Sequence, residues 1–443
     1  MSQTHSTAAT ILRGLSLCLL AGFGAFAQNP APPRPQEKPV ALVGATIHPV
    51  SGKPIVNGVI VFDKGIIQAV GGIDTPFDKR NTEIIDVAGK HIYPGSIAPA
   101  TTVGLQEIAS VRATLDYNET GEINPNVRAL IAYNTDSEVI PTLRSSGILI
   151  AQATPSGGLI SGTSSVFQTD GWNWEDAVLR QDDGVWLNWP PYVSRTFNQS
   201  DFSSALKRNE GRQQVIDQLE QFFLDASSYA GQASPDPVNL RLHAMKGVLE
   251  GNANLYIRAQ LAKDIVEAVR FAQRHKVAKV VIVGGNEADK VADFLSENKI
   301  PVILNELHRL PDHQDDEVFH PYALPGKLLA AGVEVAMSYA AEWWRVRNLN
   351  YQAGTAAGFS EHLQPEEALK LVTLFPAKIL GIDRFVGSLE VGKHATLVVT
   401  RGDILDMKTN IVERAFIRGA NVSLDDKQKR LYEKYKEKYG QKE

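Results

Sequence analysis

The middle of this chain alternates short apolar runs with amphipathic segments, and that alternation restricts the fold more than any other feature. Strand candidates fall at 91–97, 147–153, 255–258, 279–284, 301–304 and 333–338, and helix candidates at 201–229, 261–275, 286–298, 322–331 and 365–380. Runs such as Lys279-Val280-Val281-Ile282-Val283 are apolar throughout, the composition of a strand buried on both faces in a parallel sheet. Repeated strand–helix units of this length predict a (β/α)8 barrel of the TIM type, an α/β fold. The segment 160–200 fits neither pattern, so six or seven of the eight strands are placed. Helix 365–380 is well punctuated: Pro365 opens it, Glu366 and Glu367 suit its N-terminus, Gly381 follows it, and Pro376 should bend or split it.

Both flanks of this region are β-rich. Residues 40–92 read as a meander with a turn at Asp63-Lys64-Gly65, too short for a core of its own. Residues 388–422 supply matching strands, including Ala395 to Thr400 and Val412 to Ile417. The two pieces predict one small composite β-sandwich built from both chain ends, with the barrel at 93–387. The remainder, 423–443, is a charged, helix-prone tail.

The N-terminus has the layout of a processing signal at 1–27. Arg13 precedes the apolar run Gly14 to Phe26, which ends in Ala25-Phe26-Ala27 before Gln28. The run is shorter than the roughly 20 residues a spanning helix needs. A Pro-rich linker follows at 28–39. The chain's one cysteine, Cys18, lies within the signal, so the mature protein is expected to have no thiol ligand and no disulfide. These features predict export to a bacterial periplasm, with no membrane attachment after the signal is removed. Across 443 residues, 45 basic and 50 acidic side chains leave a net charge of -5, and no basic run suggests nucleic acid binding.

The stretch Tyr93-Pro94-Gly95-Ser96-Ile97-Ala98-Pro99-Ala100-Thr101-Thr102-Val103-Gly104-Leu105 resembles the first barrel strand of the amidohydrolase superfamily. So do Thr46-Ile47-His48-Pro49, Leu371 to Gly381 and Val386 to Ala395, and the resemblance is nearest to the imidazolonepropionase-like members. It implies the barrel and composite sandwich, hydrolysis of carbon–nitrogen bonds, and a zinc or other divalent ion at the barrel mouth. In the family the first strand reads Pro-Gly-x-x-Asp-x-His-x-His-x-Gly. The two histidines lie two apart on one strand, so both face one ion. Here the Asp position is Ala98 and the His positions are Ala100 and Thr102. The family's strand-5 His matches Arg258, its strand-6 His matches Gly284, and its strand-8 Asp matches Ala340 or Tyr339. The resemblance thus carries the fold frame with its assignable metal ligands replaced, and no metal or other cofactor is expected.

Other groups invite two readings each. His308, His313 and His320 share a loop with Asp312, Asp315, Asp316 and Glu317. Their spacing fits no regular ligand geometry, and a polar loop is the preferred reading over a relocated metal site. The six tryptophans fall at Trp172, Trp174, Trp186 and Trp189, then Trp343 and Trp344. They form either an aromatic binding surface or an insertion packed by its own rings. The glycine-rich Gly157 to Thr163 is read as a turn in preference to an anion site. The favoured functional expectation is a family member without metal catalysis, serving as a ligand-binding protein or as a subunit beside a catalytically intact paralogue or its own copies. The alternative is an active periplasmic hydrolase of cyclic amides or small peptides, with Arg258, Glu306, His308 and Glu342 as its candidate residues.

Overall fold

The computed structural model describes residues 31–198, 203–339 and 343–441. The expected signal segment with Cys18, the first residues of the linker, and Ala340 and Glu342 lie outside the described residues. Eight strands form the central sheet: β1 (Ser96–Thr101), β2 (Ile148–Ala153), β3 (Ile160–Gln168), β4 (Val178–Asn188), β5 (Asn254–Ala259), β6 (Val280–Gly284), β7 (Val302–Leu304) and β8 (Val335–Met337). They lie side by side in chain order. All pair in parallel except β3, which runs antiparallel to both β2 and β4. Only residues 154–159 join β2 to β3, too few for the crossover of about a dozen residues that a parallel neighbour requires. The ambiguous segment 160–200 therefore holds β3, β4 and the start of a separate hairpin.

That hairpin corrects one sequence expectation. The helix expected over 201–229 begins only at Arg212 and runs to Ala230. Residues 203–208 instead pair antiparallel with Val193–Asn198, because a partner strand is at hand to take their backbone groups. Helices Ala262–Arg274 and His320–Ala330 cross over between β5 and β6 and between β7 and β8, as their periodicity predicts.

The seam between β8 and β1 is closed by other groups. Met337 N donates to Leu371 O at 2.9 Å and Ile97 N donates to Val372 O at 2.8 Å. Ser338 Oγ donates to Pro99 O at 2.7 Å. These bonds accompany a turn at 371–373, and the helix expected over 365–380 is two, Pro365–Lys370 and Leu374–Ile379. The break precedes Pro376. That proline sits in the first turn of the second helix, where a backbone N–H has no partner to lose.

Inside the barrel, Ile97, Ile150, Val166, Trp186, Tyr256, Val281, Val283, Ile303 and Ala336 pack together. Ala377, Ile379 and Leu380 join that cluster from the closing helix. The opposite strand faces pack on the surrounding helices, which is why β6 is buried along its whole length.

Strands from both chain ends form a second, continuous eight-stranded sheet. Its order is Ala420–Val422, Val412–Ile417, Leu397–Thr400, His91–Pro94, Val40–Ile47, Ile55–Asp63 and Ile66–Gly72, with Glu83–Asp86 also on Val40–Ile47. Leu42, Ile47, Ile60, Phe62, Ile67, Leu397, Val399 and Phe416 make its core. The tail forms the helix Lys427–Lys438, which buries no residue and is capped by Asp426 accepting from Lys429 N at 2.9 Å.

Candidate functional site

The C-terminal ends of the parallel strands open on one mouth, where barrels of this kind place their chemistry. Along β5, side chains alternate, so Tyr256 and Arg258 both face inward. On β4, Trp186 lies opposite Tyr256 and Asn188 opposite Arg258. The result is a stack. The Arg258 guanidinium lies over the Trp186 ring at 4.5 Å, and Trp186 stacks on Tyr256 at 4.6 Å with an interplanar angle of 13°. Tyr256 Oη then donates to Asp183 Oδ2 at 2.6 Å.

Arg258 is held by neutral acceptors. Nη1 donates to Asn188 Oδ1 at 3.1 Å and to Ser161 Oγ at 3.4 Å, and Nη2 donates to Pro155 O at 3.1 Å. No carboxylate pairs with it among the described residues. Burial without a counter-charge pushes its pKa down to about 10. Asn188 also donates to Gly158 O at 2.6 Å, so the glycine-rich loop turns carbonyls, not N–H groups, toward this side chain. Of the stretch 157–163 read as a turn, only 157–159 lie in the link, and Ile160 to Thr163 begin β3.

Asp183 is fully buried below the stack. Besides Tyr256, it accepts from Gln152 Nε2 at 2.7 Å and Ser164 Oγ at 2.8 Å. Burial raises its pKa against the lowering effect of these bonds. Gln152 Oε1 in turn accepts from Ala100 N at 2.9 Å, which ties the network to the first family histidine position.

The structure shows what now stands at each ligand position. Ala98 packs outward among the helices, and Ala100 joins the interior cluster with a left-handed φ of 57°. Thr102 Oγ1 donates to Gln106 Oε1 at 3.4 Å. Gly284 has a φ of 104°, and a Cβ there would lie 2.2 Å from Gln260 Nε2, so the Gln260 amide fills the space of a strand-6 side chain. Tyr339 is buried beyond β8. These groups do not suit a divalent ion: they offer hydroxyls, an amide and a fixed cation where the family offers imidazoles and carboxylates. Among the described residues, no group of three or more His, Cys, Asp or Glu is placed to share a metal ion.

The alternative candidates are not joined to Arg258 by any hydrogen bond or ion pair among the described residues. Glu306 pairs with Arg345 at 3.5 Å, and His308 Nε2 meets Thr355 Oγ1 at 2.8 Å. His313 meets Glu287 and His320 meets Asp289, each at 2.8 Å, so the three loop histidines serve separate partners. The tryptophans also part company. Trp186 is inside the barrel, Trp189 packs on Phe271, Trp174 is half-buried, and Trp172 and Trp344 are exposed. They do not form one surface; Trp343 is half-buried beside Trp344.

Sequence reasoning missed Asn188, Gln260, Gln152 and Asp183. Alternation along β4 placed Asn188 and Trp186 on one face, but β4 itself had not been located. Gln260 lies beyond the strand end, where no periodicity applies.

Residues 323–422 match the amidohydrolase family. The imidazolonepropionase of Flavobacterium psychrophilum is 24% identical over 185 residues, covering 37% of this chain and 45% of that protein, so the chain spans less than half the length of that relative. An amidohydrolase structure from Thermotoga maritima superposes with a TM-score of 0.74 at 26% identity, over 87% of this chain and 99% of that one. A prolidase crystallised with N-methylphosphonate-L-proline gives 0.54 at 18% identity, over 87% and 99% of the two chains. An adenosine deaminase from Xanthomonas campestris with bound zinc gives 0.52 at 14%, over 92% and 98%. The last two share the fold alone. The barrel, the second sheet from both chain ends and the likeness to the T. maritima protein agree on an amidohydrolase fold, and residues 323–422 carry the match to the amidohydrolase family.

Proposed function

We propose that this chain is an exported amidohydrolase-family protein that binds at its barrel mouth without metal-dependent hydrolysis. One observation carries the reading: the Arg258 guanidinium and the Gln260 amide fill the places of two metal-binding histidines. A divalent ion there would meet a fixed positive charge. Like charges about 4 Å apart repel by roughly 4 kcal/mol per unit charge at an effective dielectric of about 20, and a divalent ion doubles that. The mouth then serves a ligand, or a partner such as a catalytically intact relative or a second copy of the chain. Export rests on the signal layout of residues 1–27.

Metal content of the mature protein, expressed with zinc and manganese supplied and measured by elemental mass spectrometry, tests this. Less than about a tenth of an equivalent after dialysis is the expected result. Near one equivalent overturns the proposal. So does hydrolysis of any amide at a rate lost on Arg258→Ala or Glu306→Gln.

A further inference from the structure

We propose that Arg258 is an anion-binding residue, and that the mouth takes the carboxylate of a small organic acid on its unused N–H donors. This rests on the mouth being a binding site rather than a hydrolytic metal centre. A guanidinium has five N–H donors. The bonds to Asn188, Ser161 and Pro155 use Nη1 and one side of Nη2. The Nε–H and one Nη2–H have no partner among the described residues. Two unused donors on one planar group can meet the two oxygens of a carboxylate.

Three further observations agree. The charge is half-buried and has no carboxylate partner among the described residues, an arrangement that an arriving anion would compensate. The group is also held before any ligand binds, lying on the Trp186 face and bonded to Asn188 of β4 and to Pro155 of the β2–β3 link. A ligand therefore pays little to order it. Finally, the neighbouring strand ends offer acceptors: Gln260 Oε1 and Asn305 Oδ1 are buried without partners. More anionic oxygens would be repelled there, which favours a flat monoanion over phosphate. A ligand whose body carries N–H or O–H groups would satisfy both acceptors.

The test is calorimetric titration of the mature protein with acetate, benzoate and 3-phenylpropionate, against the matching neutral amides and inorganic phosphate. At least one acid is expected to bind about tenfold or more tightly than its amide. Arg258→Met should erase that difference. Arg258→Lys should weaken acid binding about tenfold, because an ammonium cannot grip both oxygens. Thermal shifts of the wild-type protein with acid against amide give a second readout that needs no variant. Equal binding of acids and amides, tighter binding of phosphate, or no binding of any acid overturns the carboxylate assignment. Those results in metal-free protein leave the non-hydrolytic reading standing, whereas stoichiometric metal in the same sample overturns that reading itself.

Discussion

The Arg258 guanidinium lies 4.5 Å above the Trp186 ring, and this pair closes the top of the barrel core. Its two members bear on stability differently. Trp186 is fully buried, and Trp186→Ala should cost about 3–5 kcal/mol through the cavity it leaves. Arg258→Met removes a desolvated charge along with its bonds, so it should cost less than about 1.5 kcal/mol. Urea unfolding of both variants checks the order. A larger loss for Arg258→Met would mean the guanidinium is there for stability.

Gly284 and Gln260 are complementary. Restoring the family residue with Gly284→His puts a Cβ where the Gln260 amide lies, at a φ of 104°. The variant should lose about 2–4 kcal/mol. Adding Gln260→Ala should recover part of that loss by removing the clash. If Gly284→His unfolds at the wild-type denaturant midpoint, Gln260 does not occupy that space in solution.

Rebuilding the first-strand pair alone should not create a metal site. In Ala100→His with Thr102→His, the positions of Arg258 and Gly284 still supply no ligand, and residue 100 must keep a left-handed φ. Elemental analysis should find zinc well below one equivalent. Stoichiometric zinc in this variant would show that two histidines suffice.

Barrel closure leans on one hydroxyl. Ser338 Oγ donates to the Pro99 carbonyl across the β8–β1 seam, and Ser338 is fully buried. Ser338→Ala strands that carbonyl and should cost about 1–3 kcal/mol. Chemical denaturation measures it, and a change near zero would place the closure on the backbone bonds of Leu371 and Val372 alone.

The second sheet meets the barrel through histidines that should sense pH. His48 Nε2 lies 3.0 Å from His91 Nδ1, and His48 Nδ1 lies 2.6 Å from Glu366. Burial, then the neighbouring His48, holds His91 below its ordinary 6.5, against opposing fields from Asp403 and Glu366. A lowered pKa means that the unfolded chain takes up the proton first. Stability from His91 is thus present above pH 6.5 and is lost as pH falls through the window below it. The unfolding midpoint of His91→Gln should fall less than that of the wild type over that window. Parallel curves would remove His91 as the cause.

Much of this fold was legible before any coordinates. Apolar runs such as Val280 to Gly284 can be satisfied only between two layers, and the helical stretches between them set the crossovers. That Ala100, Thr102, Arg258 and Gly284 offer no imidazole or carboxylate was legible too, because residue identity alone decides whether a donor atom exists. The antiparallel β3 was missed. Its direction follows from the short link at 154–159, a constraint on where a chain end can reach rather than on local pattern. The split of the last barrel helix was misplaced for a related reason: Leu371 and Val372 leave the helix because Met337 and Ile97 need their carbonyls.

The sequence by itself determined the resemblance of its motifs, the alternation of strands and helices, and the absence of imidazole or carboxylate at Ala100, Thr102, Arg258 and Gly284. These are properties of residue type and spacing, and no folding is needed to read them. Only the tertiary structure decided that Arg258 has neutral partners, that Gln260 lies over Gly284, and that Asp183 is tied through Gln152 to Ala100. Each of those facts joins residues from different strands. A side chain's partners depend on sheet register and on the path of the loops, and neither is written in the local pattern of any one segment.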